Sequence, residues 1–494
     1  MGDKKNELRI VSLLREKVDS KEKRLDLSYE RIGDEGAALL AQTKDLSRVD
    51  VLDLSWNELT DAGVRALVRS ATLTGLKTLV LDSNKIGDGG ASAVAESPNV
   101  PNLQNLSLLN NRVGDEGALR LIKSGTLKNL SVLVLELNRI GAARLTRFPD
   151  GPANPSLRLL NLRRNQIGDE TLSGWLQTGA FVPLDHLNLG WNRIGPKGAS
   201  LLAHSPTVSN LGQLFLDSNP IGDEGALAIA GSNNLPNLQA LEMHDADFRS
   251  AGEQALLDFR VRQLIKIRAD GNGAVLNLNG QKLGNKGVEA LARSSALASV
   301  EKLSLRNNHF DYHGIQALAA SPHWRNLKSL NLMDNDIGNK GALVLAESRA
   351  FPNLTALNME RTGITWVGVL ALAQSKTGNR LHDLNLSHNR LEDKGARILS
   401  ESATFSGLSR LCLWNSQMSD AGARAIAGSK CLTQVEELRL SGNEIGTPGL
   451  LALADSPNFE SLKKLDLRQN RIDDRGLYLI SQSPKLRSLE ELRF

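Results

Sequence analysis

His309 and His313 stand four residues apart, the interval that puts two imidazoles on one turn of a helix and could serve a zinc ion if a third ligand joined them. No third ligand is in prospect, and the pair falls where a turn leads into a helix. His186 and His244 would face the same side of a sheet, yet two strand spacings sideways and four residues along the strand put roughly 16 Å between them, beyond shared metal ligation. Asp217 and His244 fall in one column on neighbouring strands and could pair. With no serine or cysteine nucleophile beside them, a solvated ion pair is expected. Cys412, between Leu411 and Leu413, has no histidine partner and reads as an ordinary outward-facing thiol. No GxxxxGK(S/T) loop is present to cradle a phosphate. The expectation therefore holds no catalytic residue, no metal and no cofactor.

What positions these side chains is a repeat. LxLxxN recurs with its first leucine at Leu25, Leu52, Leu79, Leu106, Leu133, Leu160, Leu187, Leu214 and Leu241, in steps of 27 residues. After one step of 35 it resumes at Leu276, Leu303, Leu330, Leu357, Leu384, Leu411, Leu438 and Leu465, and a half-repeat, Leu492 to Phe494, follows. A fixed period of this size means one supersecondary unit per repeat, stacked on its neighbours. In LxL the two leucines share one face of a short strand and the residue between them takes the other. Asn occupies the last position in twelve of seventeen repeats, where its amide can satisfy backbone groups that a turning chain leaves unpaired. The block that follows, such as IGDEGA at Ile32 to Ala37, offers a helix N-cap in thirteen repeats, for example Asp34, Asp61 and Asp223. The glycine two residues on, present in fifteen repeats, would let the helix lie close to the strand layer. Parallel strands pack about 4.8 Å apart and helices about 8 to 10 Å apart, so the helical side must be longer. The expected fold is α/β: a curved solenoid with a parallel β-sheet on the concave face and helices on the convex face.

Stretches such as IGDEGALAIA at Ile221 to Ala230 and SHNRLEDKGARIL at Ser387 to Leu399 resemble the ribonuclease-inhibitor-like subtype of leucine-rich-repeat proteins, including the bacterial GALA-like members. The likeness covers essentially the whole chain after about Lys23. The period of 27 differs from the shorter GALA unit and from the alternating longer units of mammalian inhibitors, and no F-box-like segment precedes the first repeat. The resemblance implies binding of a protein on the concave face and names no partner.

Four divisions are expected. Residues 1–22, with Leu8, Val11, Leu14 and Val18 at helical spacing, form a capping helix over the first layer. Residues 23–259 hold repeats 1 to 9, residues 260–275 an insertion and kink, and residues 276–494 repeats 10 to 17 with the half-repeat. In repeat 5, Pro149, Pro152 and Pro155 replace the Ala-rich helix, so a loop is expected there. Ala246 and Gln281 interrupt the Asn ladder on either side of the long step. The inserted Arg260, Arg262, Lys266 and Arg268 read as an extended solvated helix, with a basic contact as the alternative.

Composition narrows the functional classes. With 59 basic and 55 acidic residues, a net charge of +4 does not call for nucleic acid. Only Cys412 and Cys431 occur, which favours a reducing compartment over a disulfide framework. The charged N-terminus lacks a signal-peptide core, no stretch approaches a membrane span, and Asn6 stands where myristoylation needs Ser or Thr. A monomeric cytoplasmic protein is expected.

Concave positions are the residue before the first Leu, the one between the Leu pair, and the two before the Asn. Large apolar side chains there have no packing reason and mark a contact surface. In the first arc they are Trp56, Val80, Leu109, Val134, Leu137, Trp191 and Phe215; the second arc is more polar, with Arg306, Glu360, Arg361, His388, Trp414 and Arg439. Asn277, Asn331, Asn358 and Asn385 share one column and read as a product of repeat duplication. The leading expectation is a non-enzymatic scaffold of inhibitor or adaptor type that binds a protein on this face. Two alternatives stand beside it: a GTPase regulator similar to the Ran GTPase-activating proteins, and a bacterial effector recruiting host ubiquitin machinery.

Overall fold

A computed structural model describes residues 12, 13, 16–19, 21, 23–142, 151–375, 380–481, 483, 485, 486 and 488–494. Its contacts divide the chain into two units, Met1–Phe259 and Arg260–Phe494. Among the described residues the first unit carries a ten-stranded sheet from Val18–Asp19 to Ala240–Glu242, and the second a nine-stranded sheet from Val275–Asn277 to Glu491–Arg493. From Arg24–Asp26 onward the strands follow chain order within each sheet and pair in parallel with leucine opposite leucine, as in Leu25↔Leu52 and Leu303↔Leu330. Each of these is three residues long, and its central leucine is buried in all but the final half-repeat. The fold is an α/β leucine-rich-repeat solenoid: strand, turn, helix and return, 27 residues per layer.

Three side-chain ladders tie the layers together. In the first, the Asn amide bridges two repeats. Asn84 Oδ1 accepts from the Asn57 and Leu59 amides at 3.0 and 2.9 Å, while Nδ2 donates to the Leu54 and Leu81 carbonyls. Where the rung is missing, at Ala246, Thr362 and Ser416, the previous turn closes on itself: Ile221, Ile337 and Leu391 amides bond to the Asn219, Asn335 and Asn389 carbonyls. The next residue, Gly222, Gly338 or Glu392, then takes a positive φ.

The second ladder corrects the reading of the aspartates. Asp61 is not the cap of its own helix, Asp61–Leu67, which Thr60 caps. Asp61 Oδ1 instead accepts from the Gly87 amide at the start of the next repeat's helix, at 2.6 Å. Asp34 likewise serves Thr60, and Asp223 the amides of Arg249 and Gly252. The reason is visible in the caps themselves: Gly87, Gly114, Gly195 and Gly446 have no side chain, so the preceding repeat supplies the acceptor. A carboxylate there also faces the positive end of a helix dipole. In some repeats the glycine two residues later is explained by the same contact: a Cβ on Gly422 would lie 2.6 Å from Asp393 Oδ1, and one on Gly449 2.6 Å from Asp420 Oδ1. In others, such as Gly225, Gly287 and Gly395, the nearest atom belongs to the core side chain four residues earlier, Ile221, Leu283 or Leu391.

The third ladder runs along the helix C-termini, where Ser97, Ser124 and Ser456 hydroxyls donate to carbonyls one layer back at 2.5 to 2.6 Å. One further expectation changes. Val18–Asp19 is a strand, paired antiparallel to Arg24–Asp26, in place of the end of a capping helix; Leu8, Val11 and Leu14 lie outside the described residues. In repeat 5, residues 143–150 with Pro149 are outside them too, and 151–158 form no helix. Trp175, buried in the next helix, donates its indole N–H to Asp115 across that repeat at 3.2 Å. Ser250–Arg268 is one helix of 19 residues.

Candidate binding face

The four outward columns of each sheet are set by two turn devices. At the position between the leucine pair, Asp53, Asn161, Asn331, Asn358 and Asn385 each accept the amide two residues on, at 2.9 to 3.1 Å. The asparagine column therefore has a structural cause. At the position before the ladder Asn, the chain passes through the left-handed region in repeat after repeat: Trp56 at φ 57°, Asn110 at 55°, Leu137 at 55°, Trp191 at 56°, Gly280 at 67° and Gly442 at 67°. Left-handed backbone favours Gly and Asn and disfavours bulky side chains.

In the first unit Trp56, Leu137 and Trp191 are exposed, and Val80, Leu109, Val134 and Phe215 are half-buried. They do not merge into one apolar patch. Val80 and Val134 are separated in register by Ser107, and Leu109 lies between Asp82 and Glu136 in its column. Instead three islands form. Trp56 stacks on Tyr29, with ring centroids 5.4 Å apart and planes 11° from parallel. Val134 and Leu137 lie on one strand and the turn that follows it. Trp191 lies beneath Arg164 and Arg163, whose guanidinium carbons are 4.9 and 5.6 Å from its ring centre, and Phe215 packs against His186 at 4.9 Å. Tyr29 was missed by sequence reasoning, although it occupies Trp56's column one repeat earlier. Carboxylates outnumber guanidinium groups on this face: Asp26, Asp53, Asp82, Glu136, Asp217, Glu242 and Asp245 stand among Arg24, Arg163 and Arg164. Burial, reinforced by the Asp53 charge, raises Asp82 above the usual carboxylate range. Burial acts the same way on Asp26, but the Ser28 hydroxyl and amide and the Arg24 guanidinium hold it below that range.

In the second unit the expected residues fall into ion-pair chains. Arg306 Nε meets Asp334 at 2.9 Å and Arg361 approaches the same carboxylate at 3.8 Å. Glu360 accepts from Asn385 at 3.0 Å and lies 3.9 Å from His388, whose ring meets Trp414 edge-on at 4.5 Å. Arg439 pairs with Glu437 on its own strand at 2.6 Å. Asp334 and Glu437 are the members that sequence reasoning left out, and Asn385 is one it read as a product of repeat duplication.

Cys412 is not an outward-facing exposed thiol. It belongs to the outward column, between Asn385 and Arg439 in register, yet only 3% of it is accessible. Burial pushes the thiol up to about 11, against the pull of Arg410 and Arg439. His313 is engaged by Asp311 Oδ1 at 2.9 Å. The group with metal-ligand spacing among the described residues is Asp217, Glu242 and His244, whose ligand atoms lie within 4.8 Å of one another. His244 is tied to Asp217 by its backbone amide, at 2.8 Å.

Comparison with known proteins places these repeats. The family model described as "Leucine Rich repeat" matches nine segments, residues 50–68, 73–95, 153–173, 183–203, 210–230, 323–346, 380–400, 432–454 and 460–481. Similar solved structures include a leucine-rich-repeat protein of Leptospira interrogans, 17% identical over 98% of each chain with a TM-score of 0.31. An internalin of Listeria monocytogenes is 15% identical over 93% of this chain and 94% of its own, with a TM-score of 0.25. A plant peptide hormone receptor, solved in complex with its peptide, is 13% identical over 90% and 89%, with a TM-score of 0.26. No curated protein matches in sequence.

Proposed function

We propose that this chain is a non-enzymatic scaffold that binds a protein partner on the outward face of its sheets, with the first unit as the principal contact. Leucine-rich-repeat solenoids are generally protein-interaction scaffolds, because stacked strands offer an extended surface. One observation carries the reading here. Every large apolar residue expected on the first unit's face, apart from Leu109, occupies a position where the repeat's own physics favours something else. Trp56, Leu137 and Trp191 hold left-handed backbone, and Val80, Val134 and Phe215 stand where other repeats use a turn-closing Asn or Asp. Neither the turn nor the ladder of the repeat calls for these choices, whereas aromatic side chains at half exposure are what contact hot spots need. The proposal includes a reducing, cytoplasmic setting, on the two free cysteines.

The test compares two variants by quantitative mass spectrometry of captured proteins. Trp56→Asn, Trp191→Asn and Phe215→Asn together replace each residue with one that other repeats carry in its column, so the far-ultraviolet circular dichroism should be unchanged. Leu227→Ser with Leu343→Ser alters apolar residues exposed on the helical side. Capture lost in the first and kept in the second is expected. Capture lost in both, or in neither, refutes the reading.

A further inference from the structure

Resting on that reading, and naming the chemistry of one contact, we propose that Tyr29, Trp56 and Asp53 form a guanidinium site that receives an arginine side chain of the partner. The two rings are 67% and 49% exposed and stacked nearly parallel. Both residues lie in the left-handed region, at φ 63° and 57°, so neither backbone demands an aromatic. The next residue in their column is Ser83, too small to cover an indole.

The molecule itself contains the complementary arrangement. In the same column Trp191 is roofed by Arg164 from the repeat before it, and on the helical side Tyr312 and Trp366 are roofed by Lys340 and Lys394 at 5.0 and 5.1 Å. Trp56 has no such cation among the described residues, because the repeat before it supplies Tyr29 and the repeat after it Ser83. Charge points the same way. Asp26, Asp53 and Asp82 occupy the neighbouring columns, and Arg24 is the cation paired with the first two, at 3.4 and 3.6 Å. The Trp56 amide donates to the Asp82 carbonyl at 2.9 Å, which fixes the aromatic turn against this carboxylate row. Asp82 has no cation paired with it among the described residues, and burial, with a smaller push from the Asp53 charge, raises it. An ammonium would satisfy the charge. A guanidinium satisfies it while its plane lies flat on the indole and its edge donates in a fork to a carboxylate.

The test uses the full chain labelled with 5-fluorotryptophan, whose six tryptophans give separable fluorine resonances, with Trp56→Phe assigning its own. The probes are blocked tetra-arginine, tetra-lysine and tetra-citrulline peptides at physiological salt. Tetra-arginine should shift the Trp56 resonance saturably, tetra-lysine should bind it more weakly, and tetra-citrulline should leave it unmoved. Asp53→Asn, which keeps the oxygen that closes the Ser55 turn, should weaken tetra-arginine by about two- to five-fold. A Trp56 resonance unmoved by arginine, moved equally by lysine, or indifferent to Asp53→Asn overturns the site. The two ideas fail separately. Titration without partner capture would sink the scaffold reading and keep the site, and face-dependent capture with a silent Trp56 would do the reverse.

Discussion

Cutting the contact between Asp393 and Gly422 tests whether repeats are capped by their predecessors. Asp393 Oδ1 accepts from the Ser419 and Gly422 amides at 2.8 Å each, and Oδ2 from the Ser419 hydroxyl at 2.7 Å. Asp393→Ala therefore removes a capping carboxylate and should cost about 2 kcal/mol, at the upper end for a helix cap. Gly422→Ala would gain about 1 kcal/mol of helix propensity in isolation. Here the new Cβ would lie 2.6 Å from Asp393 Oδ1, against 3.2 and 3.3 Å from the Met418 and Ala396 Cβ atoms. The carboxylate must leave to admit the methyl, so the single variant should lose most of the cap and end about 1 to 2 kcal/mol less stable. Once Asp393 is alanine, the remaining neighbours need to move by only a few tenths of an ångström. The methyl should then be neutral or mildly stabilising, which gives a coupling of about 2 kcal/mol. Because stability in a repeat array is close to a sum of neighbour terms, the assay should be local: amide exchange across the helix Asp420–Ala427 in the parent, both single variants and the double. Additive losses would refute the cross-repeat cap.

Three other outcomes follow from contacts already described. Thr362→Asn restores a ladder rung; the Ile337 amide, now bonded to the Asn335 carbonyl at 3.0 Å, should regain an inter-repeat acceptor and the segment should gain about 1 kcal/mol by amide exchange, whereas unchanged protection would count against the ladder account. Cys412, with its thiol near 11, should alkylate at pH 8 more than about a hundredfold slower than a peptide thiol, read by peptide mapping; a rate near the peptide's would mean the cover over it opens freely. Burial and then Arg361 depress His388, against Glu360 and Asp334, so as the pH falls below about 6.5 the unfolded chain is protonated there first and stability falls toward the lower folded value. In His388→Gln the stability difference between pH 7 and pH 5, measured by urea unfolding, should shrink; an equal or larger difference contradicts the assignment.

The layer architecture was readable because each core position is one residue type recurring every 27 residues, and period-2 alternation at LxL leaves a single choice of inward face. Misreading Asp61 as a cap for its own helix came from applying a local rule to a non-local contact. Local capping places acceptor and amide two or three residues apart, whereas this acceptor serves an amide 26 residues on. The signal was nonetheless present, since a glycine without a capping side chain regularly follows an aspartate at that interval. Val18 was harder. A strand of two residues, defined by pairing with Arg24–Asp26, leaves almost no periodic trace.

On the binding face, column membership followed from alternation, but what each side chain does depends on the lengths of its neighbours, which alternation does not encode. Cys412 points outward by register and is nevertheless covered, with a long arginine beside it on its own strand, Arg410, and another opposite it on the next, Arg439. Trp191 likewise reads as an open aromatic until Arg163 and Arg164 are seen to lie over it. The same reasoning separates Trp56 from the other aromatics. Its column neighbours are a flat ring, Tyr29, which takes one face of the indole, and a serine, too small to cover the other. A repeat that forces positive φ at one position in each layer penalises every large side chain placed there by about 1 kcal/mol or more. Of the bulky residues that hold this conformation, those with a ring face that no cation of their own chain covers are the ones whose cost has to be recovered by a partner.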